Sequence, residues 1–152
     1  MKTEDKLEAI QSLLRSQSTL TLSTVGAKGQ PHATPLFYLT GPDFELYWFS
    51  SPASVHSRNI AADPRVSAAI YAATEDWKEI CGVQMHGIVS KVADRTLRRK
   101  ITGEYRERFH LGNMFHLAIA KSTLYVFRPS WIRYLDNTRR FGFKFEIVFP
   151  TS

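Results

Sequence analysis

Cys81 is the chain's one cysteine. No internal disulfide can brace the fold, and no cysteine-based metal knuckle can form. A lone thiol in an apolar strand reads as a structural residue and suits a reducing compartment. No apolar run approaches bilayer length. The opening MKTEDKLEAI carries charge where an export signal needs an apolar core. The expected location is therefore cytoplasmic, with no membrane partner. Neither a Walker nor a dinucleotide glycine pattern is present, so nucleoside triphosphates are not expected ligands. His32, His56, His86, His110 and His116 show no ligand spacing, which argues against a metal site. No Gly-x-Ser-x-Gly elbow or Cys/His pair suggests acyl transfer.

What the chain does have is apolar content enough for one core. Its 152 residues are 43% hydrophobic and 22% charged, which fits a single globular domain over 1–152. The net charge is +6. Such a surplus serves solubility, or draws nucleic acid, a membrane surface or a phosphorylated small molecule.

The periodicities predict a helix over 3–17, capped by Thr3, with Leu7, Ile10, Leu13 and Leu14 on one face. Strands follow over 18–25, 32–40 and 44–50, joined too tightly for parallel crossovers. Pro35 puts the second of these at an edge or a bulge. A short helix over 55–62 stops at Asp63-Pro64. Strands over 65–73 and 79–92 come next, the latter with Gly82 and Gly87 marking bends. A basic helix over 94–109, a shorter one over 114–121, and strands over 122–127 and 143–149 complete the chain. The expected fold class is mainly β (α+β): an antiparallel, six- to seven-stranded barrel-like sheet with flanking helices.

The stretch YWFSSPASVHSRNI carries the most chemistry. An aromatic strand ends in serines, a proline breaks it, and Ser54, His56, Ser57 and Arg58 open a helix. Hydroxyls, an imidazole, a guanidinium and helix N–H groups can converge on a phosphate. The same residues would equally make a plain N-cap, with His56 and Arg58 facing water. The basic helix can likewise be a nucleic-acid contact or a solvated face, and its aromatics do not interleave with the basic side.

Taken in order, QPHATPLFYL, the aromatic-aromatic-Ser strand, Ser-x-His, Asp-Pro-Arg-Val and Gly-Val-Gln-x-x-Gly resemble the split β-barrel of pyridoxamine 5′-phosphate oxidase-like proteins. The likeness runs over 18–92 and is looser over 94–121. Asp136-Asn137-Thr138 and Phe141-Gly142 resemble a small branch of that family. The resemblance implies a homodimer with FMN at the interface and a small-molecule substrate for an oxidoreductase. It implies that Thr34, Pro35, Leu36, Phe49 and Ser50 meet the flavin ring. Ser54, Val55 and His56 would hold its phosphate, where many members carry Arg-Lys, with Ser57 and Arg58 beside them. Gln84 would reach the partner's flavin and Trp131 would cover it. The segment YLDNTRRFG and the end IVFPTS depart from the oxidases proper, so another substrate than pyridoxamine phosphate is expected. A flavin-binding sensor without catalysis, or the same fold holding a deazaflavin or haem, are the alternatives.

Overall fold

Alternation builds the sheet. Leu20, Leu22 and Thr24 of β1 (Thr19–Val25) and Val66, Ala68 and Ile70 of β5 (Arg65–Tyr71) are buried, while the residues between them are half-buried or exposed. The computed structural model describes residues 1–150. With β2 (Pro31–Phe37), β3 (Leu39–Thr40), β4 (Leu46–Ser50), β6 (Cys81–Lys91), β7 (Thr123–Asp136) and β8 (Lys144–Val148), these make one antiparallel sheet of eight strands. Its order is β2-β1-β5-β6-β7-β4-β3, with β8 also pairing β7.

The sheet curls because its two end strands are one stretch of chain. The expected strand over 32–40 breaks at Tyr38: β2 pairs β1, while β3 pairs β4. This raises the strand count by one over the sequence expectation. Tyr38 is 1% exposed, its N–H donates to Ser18 O at 3.1 Å and its hydroxyl to Leu14 O at 2.6 Å. An aromatic that must reach the interior takes precedence over strand continuity.

The curled sheet encloses a core of Leu22, Leu46, Trp48, Met85, Phe127 and their neighbours. Ile10, Leu13 and Leu14 of α1 (Thr3–Ser16) close it from one side. The helix begins one residue earlier than expected: Lys2 is its N-cap, and Asp5 accepts the Lys2 N–H at 3.3 Å. A second cluster lies outside. There Ile101 and Tyr105 of α3 (Arg95–Phe109) and Ile119 of α4 (Asn113–Lys121) cover Leu39, Tyr47, Leu124 and Val126. Strand β4 and the first half of β7 are therefore apolar on both faces, whereas β1, β5 and β6 alternate.

Strand β7 runs nine residues past the predicted end at 127. Pro129 lies within it, although proline has no N–H for a ladder. It is tolerated because β7 changes partners there: β4 pairs up to Phe127 and β8 begins at Trp131. On the opposite edge the register with β6 shifts between His86 and Gly87. A Cβ on Gly87 would run into Arg128 O and come within 2.7 Å of the Phe127 ring. Gly82, expected to bend the strand, passes through its pairing without a register shift.

Gly87→Ala should destabilise the protein by about 3 kcal/mol, because the obstructing atom is backbone and cannot rotate away. Urea unfolding measures this; a loss within about 0.5 kcal/mol would show that the bulge relaxes freely. Tyr38→Phe should cost about 1 kcal/mol for the lost hydroxyl donor while keeping the closure.

Candidate functional site

The chain leaves β4 at Ser50 and turns through residues 51–54. Ser54 N–H donates to Ser51 O at 3.1 Å, and Ala53 N–H to Ser51 Oγ at 3.2 Å. The helix α2 (Val55–Ala62) then starts with Ser54 as N-cap. Ser54 Oγ accepts the Ser57 N–H at 3.3 Å and donates to Ser57 Oγ at 2.7 Å. Its one proton is thereby spent. His56 Nε2 lies 3.2 Å from Ser54 Oγ and 2.7 Å from Ser50 Oγ. With Nε2 protonated the ring donates to Ser50 Oγ; with Nε2 bare it accepts the Ser50 hydroxyl proton. Ser50, Ser54, His56 and Ser57 thus form one connected corner, and Ser50 and Ser57 are buried.

Donors remain unspent in this corner. The hydroxyl proton of Ser57 has no acceptor among the described residues, and neither do the first-turn N–H groups of Val55 and His56. Arg58 is exposed and has no carboxylate in ion-pair contact among the described residues. This donor set fits a phosphate group. Burial lowers the His56 pKa, and the nearby His32 lowers it further. The imidazole is therefore neutral near pH 7, and the corner relies on hydrogen bonds more than on charge.

His32 is a site residue that the sequence did not single out. It faces Thr24 across the β1–β2 hairpin, and Asn59 Nδ2 donates to Thr24 Oγ1 at 3.0 Å. That bond seats α2 over β1. The only sequence signal was an asparagine one helical turn after His56 on the same side of the helix.

The ring-contacting residues expected on β2 point two ways. Thr34 and Leu36 are half-buried on the core side, where Thr34 pairs with buried Leu22 and Leu36 with buried Leu20. Pro35 is exposed on the other face. Phe49 lies beneath α3, its ring 5.2 Å from Tyr105 edge-on and 5.3 Å from the Arg98 guanidinium. Val55 is 45% exposed.

Gln84 and Trp131 are not beside this corner. The pairings align Pro35, Thr21, Ala69, Gln84 and Arg133 across five strands. Gln84 is three strand spacings from Pro35, about 14 Å. A second row aligns Ser23, Ser67, His86 and Trp131. Trp131 stacks on His86 at 4.5 Å between centroids and donates from Nε1 to Glu146 Oε2 at 3.1 Å. Both rows lie on the outer sheet face, where Thr21, Ser23, Ser67 and Ala69 carry small, half-buried side chains. A groove of about 610 Å³ opens at its end, lined by Val25, Pro31, Arg65, His86 and Ile88 among others.

The segment after β7 is tied to its own turn and to the stretch around Trp77. Burial pushes the Asp136 carboxyl up, but hydrogen bonds outweigh it and hold the pKa below the ordinary value. Their donors are the Thr138 hydroxyl and N–H, the Tyr134 hydroxyl and the Arg139 Nε. Asn137 Nδ2 donates to Trp77 O at 2.8 Å. Among the described residues no group of His, Cys, Asp and Glu could hold a metal ion, and no helix is long and apolar enough to cross a membrane.

A sequence profile described as pyridoxamine 5′-phosphate oxidase matches residues 7–136. No curated protein sequence matches the chain significantly. Among solved structures, a heme binding protein from Mycobacterium smegmatis superposes with a TM-score of 0.76 at 20% identity, over 93% of this chain and 57% of that one. This chain therefore spans little more than half of that protein. A heme storage protein from Vibrio cholerae gives 0.67 at 20% identity, over 85% and 91% of the two chains. An FAD-binding protein from Mesorhizobium loti gives 0.66 at 19%, over 84% and 89%. At these identities the likeness is one of fold.

Because His56 is held neutral, the unfolded chain takes up its proton first, and folding stability should fall as the pH drops from about 7 to about 5. Part of that fall should be missing in His56→Gln, whose side chain does not titrate. Thermal midpoints of both proteins across this range provide the check. Parallel curves would mean that His56 is as free in the fold as in the unfolded chain.

Proposed function

The chain belongs to the pyridoxamine 5′-phosphate oxidase family, and on that premise we propose that it is a homodimeric FMN-binding oxidoreductase. The observation that carries this reading is the α2 corner, with its unspent hydroxyl and amide donors and its exposed Arg58. Ser54, Val55, His56 and Ser57 would hold the FMN phosphate, with Arg58 supplying the one full positive charge. Thr34, Pro35, Leu36, Phe49 and Ser50 would line the ring. Flavin supplies the electron-accepting chemistry, so the protein needs no acid–base pair for hydride transfer.

The separation of Gln84 and Trp131 from that corner supports two copies. One chain cannot bring both sets to one ring, whereas the uncovered sheet face of a second copy can. The reading does not extend to pyridoxamine phosphate as substrate. The segment comparable to the oxidases' substrate signature spends Asp136 on its own turn and the Asn137 amide on Trp77 O.

A haem in place of flavin is the second reading. Two of the structural relatives described above are haem proteins by name. On this chain the exposed His86 imidazole, braced by Trp131 at the open groove, is the group that could meet an iron.

Absorbance and flavin fluorescence on titrating the purified protein with FMN, and separately with haemin, provide the test. FMN should bind with quenched fluorescence at one site per chain. Ser54→Ala with His56→Ala should weaken it by about ten- to a hundredfold with the fold intact, since hydrogen bonds to a charged group are lost. Unchanged affinity would remove the phosphate assignment. Binding of haemin alone, with a Soret band lost in His86→Ala, would favour the second reading.

A further inference from the structure

Helix α4 presents its apolar residues the wrong way for a core. Only Ile119 is buried, whereas Met114 is 88% exposed, Leu117 69% and Phe115 56%. At 100° per residue, Met114 and Leu117 stand on the side opposite Ile119, with Lys121 between them, while Phe115, one turn before Ile119, shares its side. Two arginines of α3 hold α4 in this attitude. Arg98 donates to Ile119 O and Ser122 O at 3.2 and 3.0 Å, and Arg106 Nη2 lies 2.7 Å from His116 Nδ1. Arg98 and Arg106, with Arg95 and Arg99, also line an open groove of about 490 Å³ on α3.

None of these four guanidiniums has a carboxylate in ion-pair contact among the described residues. The Arg106 Nε is buried and has no acceptor. Apolar side chains thus protrude from α4, and the neighbouring helix α3 carries a set of unneutralised arginines. A second copy would bring the same arginines against these, in a chain already at +6, so self-association through this face is opposed by charge. The complement must be anionic and must also receive protruding apolar side chains. A fluid interface with anionic headgroups meets both demands. Methionine and leucine enter the acyl boundary while arginines take phosphates bidentately.

We propose that the α3–α4 face docks the protein peripherally on an anionic lipid surface. The sequence reading expected no membrane partner because no segment could span a bilayer; docking of this kind needs no span. It is independent of which cofactor the α2 corner holds.

The full chain should cosediment with vesicles of phosphatidylcholine and phosphatidylserine at about 7:3, more weakly as salt rises, and much less with phosphatidylcholine alone. Arg95→Gln with Arg99→Gln should weaken binding by about 25-fold, roughly fivefold per charge. Among the described residues these two side chains make no hydrogen bond or ion pair, so the fold should persist. Met114→Ser with Leu117→Ser should weaken binding by roughly tenfold or more at unchanged net charge. Circular dichroism should be that of the parent for both variants. No binding to the anionic vesicles would overturn the proposal and leave an acidic protein surface as the complement. So would equal binding by parent and the Met114/Leu117 variant, which would reduce the effect to unspecific charge.

Discussion

The whole architecture depends on Tyr38 being inside. Residues on either side of it belong to opposite ends of the sheet, so its burial obliges those ends to approach. A buried hydroxyl without a partner would cost about 1–3 kcal/mol, and Leu14 O at the end of α1 removes that cost. The same contact ties α1 to the sheet it closes. Curling has a second effect: the outer surface is divided. Helices α3 and α4 cover the part around β4 and β7, and the part spanning β1, β5 and β6 stays bare. The α2 corner lies at the end of β4, close to where the two sheet ends meet.

Much of this was legible in the chain. Thr-rich alternation gave β1, and the hydrophobic stripe of α3 gave its packing face. Ser54 ahead of an eight-residue helix announced a cap, and the cap is there. In each case the signal is local, because the residues that determine the element lie within a few positions of it.

What could not be read depended on distant partners. The extent of β7 rests on β8 starting where β4 stops, which makes Pro129 harmless. The break at Tyr38 rests on a carbonyl 24 positions earlier. His32 mattered only once Asn59 had seated α2 on Thr24. The outward residues of α4 were legible as apolar but not as exposed, because only tertiary packing selects which helix face is covered. The resemblance assigned Gln84 to a contact with the partner chain and Trp131 to the cover of the flavin. The sheet register now shows how far from the corner's residues they lie.

The double use of β7 also bears on the order of assembly. Strand β4 has one neighbour from its own half of the chain, the two-residue β3; its other edge is satisfied by Leu124, Tyr125, Val126 and their neighbours, far along the chain. During synthesis the segment ending in Ser50 therefore waits, half unpaired, for residues not yet made. Ser50, Ser54 and His56 acquire fixed positions only after that late, long-range pairing, the kind of contact that forms slowly. Any cofactor seated there is acquired by a finished barrel and not by a nascent one. Its arrival would mark the end of folding and could not act as a nucleus for it.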